Sequence, residues 1–231
     1  MSFNWTQLIP QVGHDHDKVA VATFAATSLA LVFVGLIARA SLGKGEAAIV
    51  PSGKFSIKGL FELVTEFITN LSDQVIGHHG RHYVPMFIAV FSFIFINNLV
   101  GVIPGMSPAT ENINTTFAMG LFMFITYNIL GIKENGLINH LKHFMGPVAM
   151  LAPLMFVIEL ISHMVRPLSL GLRLANVMMG DHAVVAVFLD LVPIGVPLPF
   201  YVLGMFVSFV QAFVFTLLSM VYVAFATAHD H

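Results

Sequence analysis

The sequence from residue 167 to 176 reads Pro-Leu-Ser-Leu-Gly-Leu-Arg-Leu-Ala-Asn, and it places Arg173 inside a stretch that is otherwise apolar from about residue 148 to 189. The side chain of an arginine cannot be neutralised in a protein, because it does not release its proton at accessible pH. A permanent charge near the middle of a bilayer costs about 3 kcal/mol on insertion scales. Such a charge is therefore buried against protein or water, and it indicates a functional site that involves ions.

Composition places the whole chain in a membrane. The 231 residues are 57% hydrophobic and 10% charged, with a mean hydropathy of +0.87, whereas soluble domains carry about 25% charged residues. The net charge of -2 argues against a nucleic-acid partner. The chain has no cysteine, which excludes disulfides, thiolate metal sites and thiol nucleophiles. We therefore interpret the chain as an integral membrane protein whose surroundings are the lipid bilayer.

Five apolar segments predict the fold, and they cover residues 19–40, 83–103, 115–132, 148–189 and 196–228. The first three suit single crossings of about 20 residues. A helix of about 40 residues reaches about 60 Å, twice a hydrocarbon core of about 30 Å, so the last two segments must tilt, bend or break. We predict an all-α integral membrane protein, a single domain of residues 1–231. It should have about five membrane-embedded helices, the last two forming a long tilted hairpin that turns at Pro193, Pro197 and Pro199.

Lysine and arginine in the connections predict the orientation. The loop between the first two crossings and the loop after the third are basic, whereas the connections at 104–114 and 190–195 hold no lysine or arginine. The positive-inside rule places basic loops in the cytoplasm. The tail of residues 1–18 then lies outside, and the C-terminus lies in the cytoplasm. This tail lacks a basic start followed by an apolar core, so we expect no cleavable signal peptide.

Residues 54–76 predict an amphipathic helix. Its apolar residues follow the helical period, and they are Ile57, Leu60, Phe61, Val64, Phe67, Ile68, Leu71 and Val75. Lys58, Glu62, Glu66 and Asp73 lie on the opposite side. Such a helix either lies at the cytoplasmic interface of the membrane or packs on the rest of the protein, and the sequence leaves both interpretations open.

Ionisable residues form a stripe on the fourth apolar segment. Glu159, Arg166 and Arg173 are spaced by seven, and His163 lies between the first two. Seven residues return to nearly the same face of a helix. Arg173 then lies about 21 Å beyond Glu159, at about 1.5 Å per residue. Two interpretations remain for Glu159 and Arg166: a polar path towards the central Arg173, or an internal salt bridge that holds helices together.

Polar residues continue beyond Arg173. Asp181 and His182 follow Gly180, and because histidine titrates near neutrality, the adjacent pair could pass protons. It could equally be a capped helix kink that faces water. Gln211 is an isolated amide in the last apolar segment, which either packs helices through hydrogen bonds or orients the guanidinium of Arg173. Polar groups on both sides of a fixed cation predict two partial water paths that do not meet.

Several motifs together carry a resemblance to a known family. They are Glu159, the pair Arg166-Pro167, the run Ser-Leu-Gly-Leu-Arg-Leu at 169–174, the Gly-acid-His element at 180–182, Gln211-Ala212-Phe213, Ile103-Pro104-Gly105 and Asn112-Ile113-Asn114-Thr115-Thr116. These motifs resemble subunit a of the F-type ATP synthase membrane sector. The resemblance covers nearly the whole chain from about residue 20, and it is strongest at 159–182 and 205–222.

The resemblance implies a proton-translocating stator subunit of a rotary ATP synthase. Such a subunit abuts a rotating ring of c subunits, each with a membrane carboxylate, and it joins b-type peripheral stalk subunits. Protons enter by one half-channel, protonate a ring carboxylate and leave by the other half-channel after rotation. The chain itself then needs no cofactor and is not catalytic. With the basic-loop topology, the resemblance implies the inner membrane of a bacterium, and we predict H+ as the ion.

The family's functional positions carry over to residues of this chain. Arg173 resembles the essential arginine that displaces the proton and blocks a direct leak. Glu159 and Ser169 resemble polar residues of the cytoplasmic half-channel. His182 falls where the family places a glutamate or histidine in the exterior half-channel, and Gln211 resembles the glutamine of the final helix near the arginine. His163 joins this set of proton-translocation candidates because it lies on the same stripe.

Two positions depart from the family's pattern. Asn176 lies three residues after the arginine, whereas many relatives carry asparagine four residues after it, where this chain has Val177. Gly204 occupies a position where relatives often carry histidine or glutamate. We expect Asp181 or His182 to compensate for the missing side chain at Gly204.

The main alternative is a secondary transporter that binds an anionic solute at the Glu/Arg stripe. Such transporters show inverted repeats and broken-helix substrate sites, and the sequence shows neither. An intramembrane enzyme is a weaker alternative, because the chain has no Gly-rich phosphate loop, no His-Glu-x-x-His and no Gly-x-Ser-x-Gly.

Overall fold

The computed structural model describes residues 16–41, 57–103, 105–136, 152–191 and 197–227, and the regular secondary structure within these ranges is all helical. Six α-helices occupy these ranges: α1 His16–Ser41, α2 Ile57–Val75, α3 Val84–Val100, α4 Ile113–Asn135, α5 Ala152–Leu191 and α6 Pro197–Thr227. Two short 3-10 turns, His78–Tyr83 and Ala109–Glu111, precede α3 and α4. The predicted all-α class is confirmed.

Five of these helices, α1, α3, α4, α5 and α6, are long and apolar enough to cross a membrane. This confirms the predicted integral membrane fold. The fifth helix, α5, has 40 residues and α6 has 31. Pro167 lies inside α5 without ending it, so the long segment does not break between Ala152 and Leu191. Residues 148–151, together with Pro193 of the predicted turn, lie outside the described part of the chain.

Local sequence explains the bounds of α4. The prediction placed this crossing at 115–132, whereas the helix begins at Ile113 and ends at Asn135. The side chain of Asn112 accepts a hydrogen bond from the backbone N–H of Asn114 and thereby caps the N-terminus. Gly136 ends the helix with a φ of 75°, in the region that favours glycine.

The other predicted segments shift by a few residues. The crossing expected at 19–40 is the helix His16–Ser41, and the crossing expected at 83–103 is the helix Val84–Val100. The amphipathic segment expected at 54–76 forms a helix from Ile57 to Val75. Residues 54–56 and most of the predicted exterior tail lie outside the described ranges.

The second half of the amphipathic helix α2 packs against the helix bundle. Ile68 and Ser72 are buried, and the ring of Phe67 contacts the rings of Phe91 on α3 and of Phe209 and Phe213 on α6. Nearer the start of the helix, Leu60 and Leu63 are about two-thirds exposed, at 64% and 65%. Packing on the protein, one of the two interpretations of this segment, therefore holds for its second half.

The core lies among α3, α4, α5 and α6, and its fully buried side chains include Phe87, Ile94, Met123, Tyr127, Leu174, Met178 and Met220. Helix α1 is peripheral, since most of its surface is exposed. It is attached through Thr27, whose hydroxyl donates to the side-chain oxygen of Asn97 at 3.0 Å. An edge-to-face contact between Phe24 and Phe93 supports it, with ring centroids 5.0 Å apart.

Asn98 joins three parts of the molecule. Its side-chain oxygen accepts a hydrogen bond from Thr110 at 2.6 Å, and its amide donates to the backbone carbonyl of Ser208 at 3.5 Å. All three residues are buried. Hydrogen bonds of this kind stabilise helix packing in a membrane, so Asn97 and Asn98 hold neighbouring elements together.

Two glycines set the crossing of α4 and α5. A Cβ at Gly171 would lie 2.8 Å from the carbonyl oxygen of Thr116 and 3.0 Å from the Cα of Phe117, and a Cβ at Gly120 would lie 2.5 Å from the carbonyl oxygen of Pro167. Only residues without a Cβ allow backbones to approach so closely, which is the usual reason for small residues at membrane helix interfaces. Gly171 lies two residues before Arg173 on α5, so the close contact between the two helices fixes the position of Arg173.

Candidate functional site

Arg173 lies on an exposed, apolar surface of α5. Its neighbours Leu174 and Ala175 point into the core, whereas Arg173 itself is exposed, and Leu168 and Leu172 flank it on the surface. Within the described residues, no carboxylate lies within 4.0 Å of its guanidinium and no hydrogen bond reaches it. A permanent charge without a partner on an apolar membrane-facing surface is unfavourable. Among the described residues, nothing supplies a counter-charge to Arg173.

The three polar residues expected near Arg173 occupy different environments. Asn176 is exposed, one turn further along α5, while Ser169 is half-buried and its hydroxyl donates to the backbone carbonyl of Arg166 at 2.9 Å. Gln211 on α6 is half-buried. In the part of the chain that the structure describes, no hydrogen bond joins Gln211 to Arg173.

Glu159 and Arg166 form an ion pair within α5. An Nη2 nitrogen of Arg166 lies 2.7 Å from Oε1 of Glu159, and both side chains are partly exposed. The guanidinium also lies over the ring of Tyr222 on α6, 5.6 Å from its centroid, at a distance where a cation–π attraction operates. Of the two interpretations of this pair, the salt bridge is thus present, and Arg166 differs from Arg173 in having partners.

His163 is buried in a polar cluster between α4 and α5. Its Nε2 lies 2.9 Å from the side-chain oxygen of Asn128, whose amide nitrogen donates to the carbonyl of Phe124 and so fixes the orientation of the amide. Because an amide oxygen only accepts, Nε2 carries the proton. The other nitrogen, Nδ1, faces the hydroxyl of Tyr127 and the guanidinium of Arg166, each at 3.4 Å. The imidazole is thus enclosed by polar groups from α4 and α5.

Asp181 lies against Gly204, which is one of the two departures from the family's pattern. A Cβ built at Gly204 would lie 2.8 Å from Oδ2 of Asp181, so the carboxylate fills the space that a side chain on α6 would need. Asp181 is half-buried. The acid on α5 thus takes the place of a larger residue at position 204.

His182 faces the turn before α4. Its Nδ1 lies 3.3 Å from Oε2 of Glu111. On its other side the imidazole fills the space next to Gly101, where a Cβ would clash with the ring. Sequence reasoning missed Glu111. The available signal was its position as an acid in a connection that has no lysine or arginine.

Two open cavities flank Glu111. One of about 260 Å³ is lined by Gly101, Ser107, Glu111, Met179, His182 and Tyr201, among others. The second, of about 340 Å³, is lined by Val19, Ala20, Ser107, Glu111, Asn112 and Met179, among others. Both are large enough for several water molecules, since a water occupies about 30 Å³ in the liquid. Water can therefore reach both Glu111 and His182.

Two polar groups thus lie on either side of Arg173 along α5. The first contains Glu159, His163 and Arg166, and the second contains Asp181 and His182. Arg173 lies 8 residues before Asp181, or about 12 Å along the helix axis. No cluster of three or more metal-ligating side chains occurs in the described ranges. The arrangement suits the movement of protons along α5.

Comparison with known proteins gives one consistent result. The family model described as ATP synthase A chain matches residues 20–224. ATP synthase subunit a of Bdellovibrio bacteriovorus is 68% identical over 231 residues, which cover 100% of both chains. ATP synthase subunit a of Trichlorobacter lovleyi is 44% identical over 182 residues, covering 79% of this chain and 77% of the relative. ATP synthase subunit a of Geobacter sulfurreducens is 42% identical over 201 residues, covering 87% and 84%.

Proposed function

The chain belongs to the ATP synthase A chain family, and from this premise we propose that it forms two offset half-channels for protons against a c-subunit ring, with Arg173 separating them. It is a multi-pass membrane protein and a proton-channel component of the ATP synthase membrane sector, not a catalytic subunit. The alternative of a secondary transporter for an anionic solute is not retained, because the family assignment covers nearly the whole chain.

The observation that carries the proposal is the exposed guanidinium of Arg173 on the apolar surface of α5, which has no ion-pair partner among the described residues. A fixed cation favours the ionised form of a carboxylate that approaches it. A ring carboxylate that reaches Arg173 therefore gives up its proton before it passes. The same positive charge repels a proton or hydronium that would cross directly, so one residue drives release and prevents a leak.

The polar groups on either side of Arg173 supply the two half-channels. Glu159, His163 and Ser169 belong to the cytoplasmic half-channel, at the end of α5 that follows a basic loop. Asp181 and His182 belong to the exterior half-channel, at the other end. Gln211 lies on α6, and Asn176 lies on the exposed face of α5. We assign both residues to the region next to Arg173 that the ring carboxylate contacts.

The orientation and the partners follow from the same proposal. The N-terminus faces the exterior and the C-terminus faces the cytoplasm of a bacterial inner membrane, and α2 lies at the cytoplasmic interface with Leu60 and Leu63 towards lipid. The exposed face of α5 around Arg173 contacts the c-ring, whose membrane carboxylate supplies the missing counter-charge. The b-type peripheral stalk subunits hold the chain in place while the ring turns.

Energetics require this coupling to a ring. One elementary charge that crosses 100 mV carries about 2.3 kcal/mol, which is too little for a costly chemical step in another subunit. The energy of several protons must therefore be combined. Rotation past a single fixed arginine combines it, because each ring carboxylate that passes carries one proton.

Replacement of Arg173 by alanine in the assembled complex tests the proposal. We expect ATP-driven proton pumping in inverted membrane vesicles to be lost while the amount of assembled complex stays normal. Arg39→Ala is the matched control, because Arg39 is exposed in the last turn of α1 and its loss removes the same charge far from the stripe. Normal pumping by Arg173→Ala would overturn the proposal and leave the stripe as structural salt bridging.

A further inference from the structure

We propose that Glu111 is the proton-collecting group at the mouth of the exterior half-channel and exchanges protons between water and His182. The proposal rests on the proposed function, because it presupposes that His182 lies on the exterior path. It adds a residue of the short turn Ala109–Glu111 to a path that otherwise consists of side chains on α5 and α6.

The contact between the two side chains has the geometry of a proton relay. Nδ1 of His182 lies 3.3 Å from Oε2 of Glu111, although 71 positions separate the residues in the chain. The side chains are 37% exposed for Glu111 and 20% exposed for His182. The carboxylate is thus the more accessible of the two and the imidazole the more enclosed, the order that a path from water into protein requires.

The turn that carries Glu111 is anchored on both sides. On one side Ala109 and Thr110 are fully buried, and the hydroxyl of Thr110 donates to Asn98 at 2.6 Å. On the other side the amide of Asn112 donates to Asp17 on α1 at 2.8 Å. A carboxylate on an unanchored loop would lose its position, whereas this turn is held by a buried hydrogen bond to α3 and an exposed one to α1.

Water access supports the same role. Glu111 lines both cavities of about 260 Å³ and 340 Å³, and His182 lines only the smaller one. Glu111 is therefore the titratable residue shared by the two openings. A proton that enters by the larger cavity meets this carboxylate first, whereas in the smaller cavity the carboxylate and the imidazole lie next to each other.

The exchange balances as a simple proton transfer. The Oε2–H bond of Glu111 breaks as an N–H bond forms at Nδ1 of His182, which leaves a carboxylate and an imidazolium. The carboxylate then attracts the next proton from water, and the imidazolium releases one of its two N–H protons further into the path, which makes the ring neutral again; the next transfer follows once Nδ1 is the unprotonated nitrogen. Two other titratable groups face this region: Asp17 on α1, which accepts a hydrogen bond from Asn112, and Tyr201 on α6, which lines the smaller cavity. Lys18 follows Asp17 in the chain, and Asp181 precedes His182.

The experiment compares Glu111→Gln with Glu111→Asp in the assembled complex. Glutamine keeps the size and can still hydrogen-bond His182 but cannot carry a proton, whereas aspartate keeps the acid. We expect Glu111→Gln to lower the rates of ATP synthesis and of ATP-driven pumping several-fold. Both rates should then reach their maximum at a lower exterior pH than in the original protein. Glu111→Asp should keep most of the flux. Asp190→Asn is the matched control, because Asp190 is an exposed carboxylate near the same end of α5 and has no hydrogen bond or ion pair with His182.

The outcomes separate this proposal from the proposed function. Normal flux in Glu111→Gln, with flux lost in Arg173→Ala, would overturn the role of Glu111 alone. Normal flux in both variants would overturn the proposed function. A second variant, Glu111→Cys, is informative even if glutamine impairs assembly, because this chain has no other cysteine. A membrane-impermeant maleimide should label this chain from the exterior, and failure to label it in assembled complex would contradict the proposal.

Discussion

Two arginines on one stripe differ in a way that the sequence does not reveal. Arg166 and Arg173 are seven residues apart on α5, yet Arg166 has an ion pair with Glu159 and a ring contact with Tyr222. Arg173 has neither within the described ranges. The seven-residue spacing predicted a shared face, but the helix surface is wide enough for one guanidinium to meet α6 and for the other to stay exposed.

The pairing of Glu111 with His182 was also beyond prediction from sequence. Periodicity places His182 on α5 and places Glu111 in a connection, but their contact depends on how the turn before α4 docks onto Asn98 and α1. That docking uses Thr110 and Asn112, two residues whose hydrogen bonds are long-range. For Gly204 the sequence predicted compensation by Asp181 or His182, and the structure places the carboxylate of Asp181 next to this glycine.

The contact between Gly204 and Asp181 gives a prediction at the scale of a residue. Gly204→Ala would place a methyl group 2.8 Å from Oδ2 of Asp181. The carboxylate is the end of a flexible side chain, so it can turn away at little cost in stability. We expect normal assembly but reduced ATP-driven proton pumping, measured in inverted vesicles.

The control for this variant is Gly180→Ala. A Cβ at Gly180 meets nothing within 4 Å, so the substitution should leave pumping unchanged. If Gly204→Ala pumps as well as Gly180→Ala, the position of the Asp181 carboxylate has no part in the proton path.

At the scale of elements, apolar runs predicted helices well because the bilayer demands them. Backbone groups in hydrocarbon must be paired within one segment, so each long apolar run had to be a helix. The choice between tilting, bending and breaking for the long segment at 148–189 remained open, since it depends on neighbouring helices. Within Ala152–Leu191 the helix is continuous, and its close crossing with α4 at Gly120 and Gly171 depends on contacts that the sequence pattern did not single out.

The crossing of α4 and α5 gives a prediction at this scale. Gly171→Ala would bring a methyl group to 2.8 Å from the carbonyl oxygen of Thr116 and 3.0 Å from the Cα of Phe117. These are backbone atoms that cannot rotate away, so the two helices must separate. Overpacking of this kind costs about 1–3 kcal/mol. We expect a lower midpoint of thermal unfolding in detergent and impaired pumping.

Gly180→Ala serves again as the comparison on the same helix. Alanine favours a helix over glycine by about 1 kcal/mol, and open space surrounds this position. Its thermal midpoint should equal or exceed that of the original protein. Equal midpoints for Gly171→Ala and Gly180→Ala would show that α4 and α5 can separate without cost.

At the scale of the whole molecule, the orientation rests on the distribution of basic residues, and helix α4 allows a direct test. Its two ends carry exposed residues, Asn114 and Lys133, and the chain has no cysteine of its own. We expect Asn114→Cys to react with an impermeant maleimide only from the exterior and Lys133→Cys only from the cytoplasmic side. Reaction from the opposite sides would reverse the assignment of the half-channels.

The central claim is that Arg173 keeps two half-channels apart, and passive proton conductance tests it most directly. The measurement uses vesicles that contain the membrane sector without its catalytic subunits, with ring rotation blocked and a membrane potential imposed. The account predicts that Arg173→Ala conducts protons faster than the original protein, because the two polar groups on α5 then communicate directly. An assembled Arg173→Ala sector with a proton leak no greater than that of the original protein would contradict the claim.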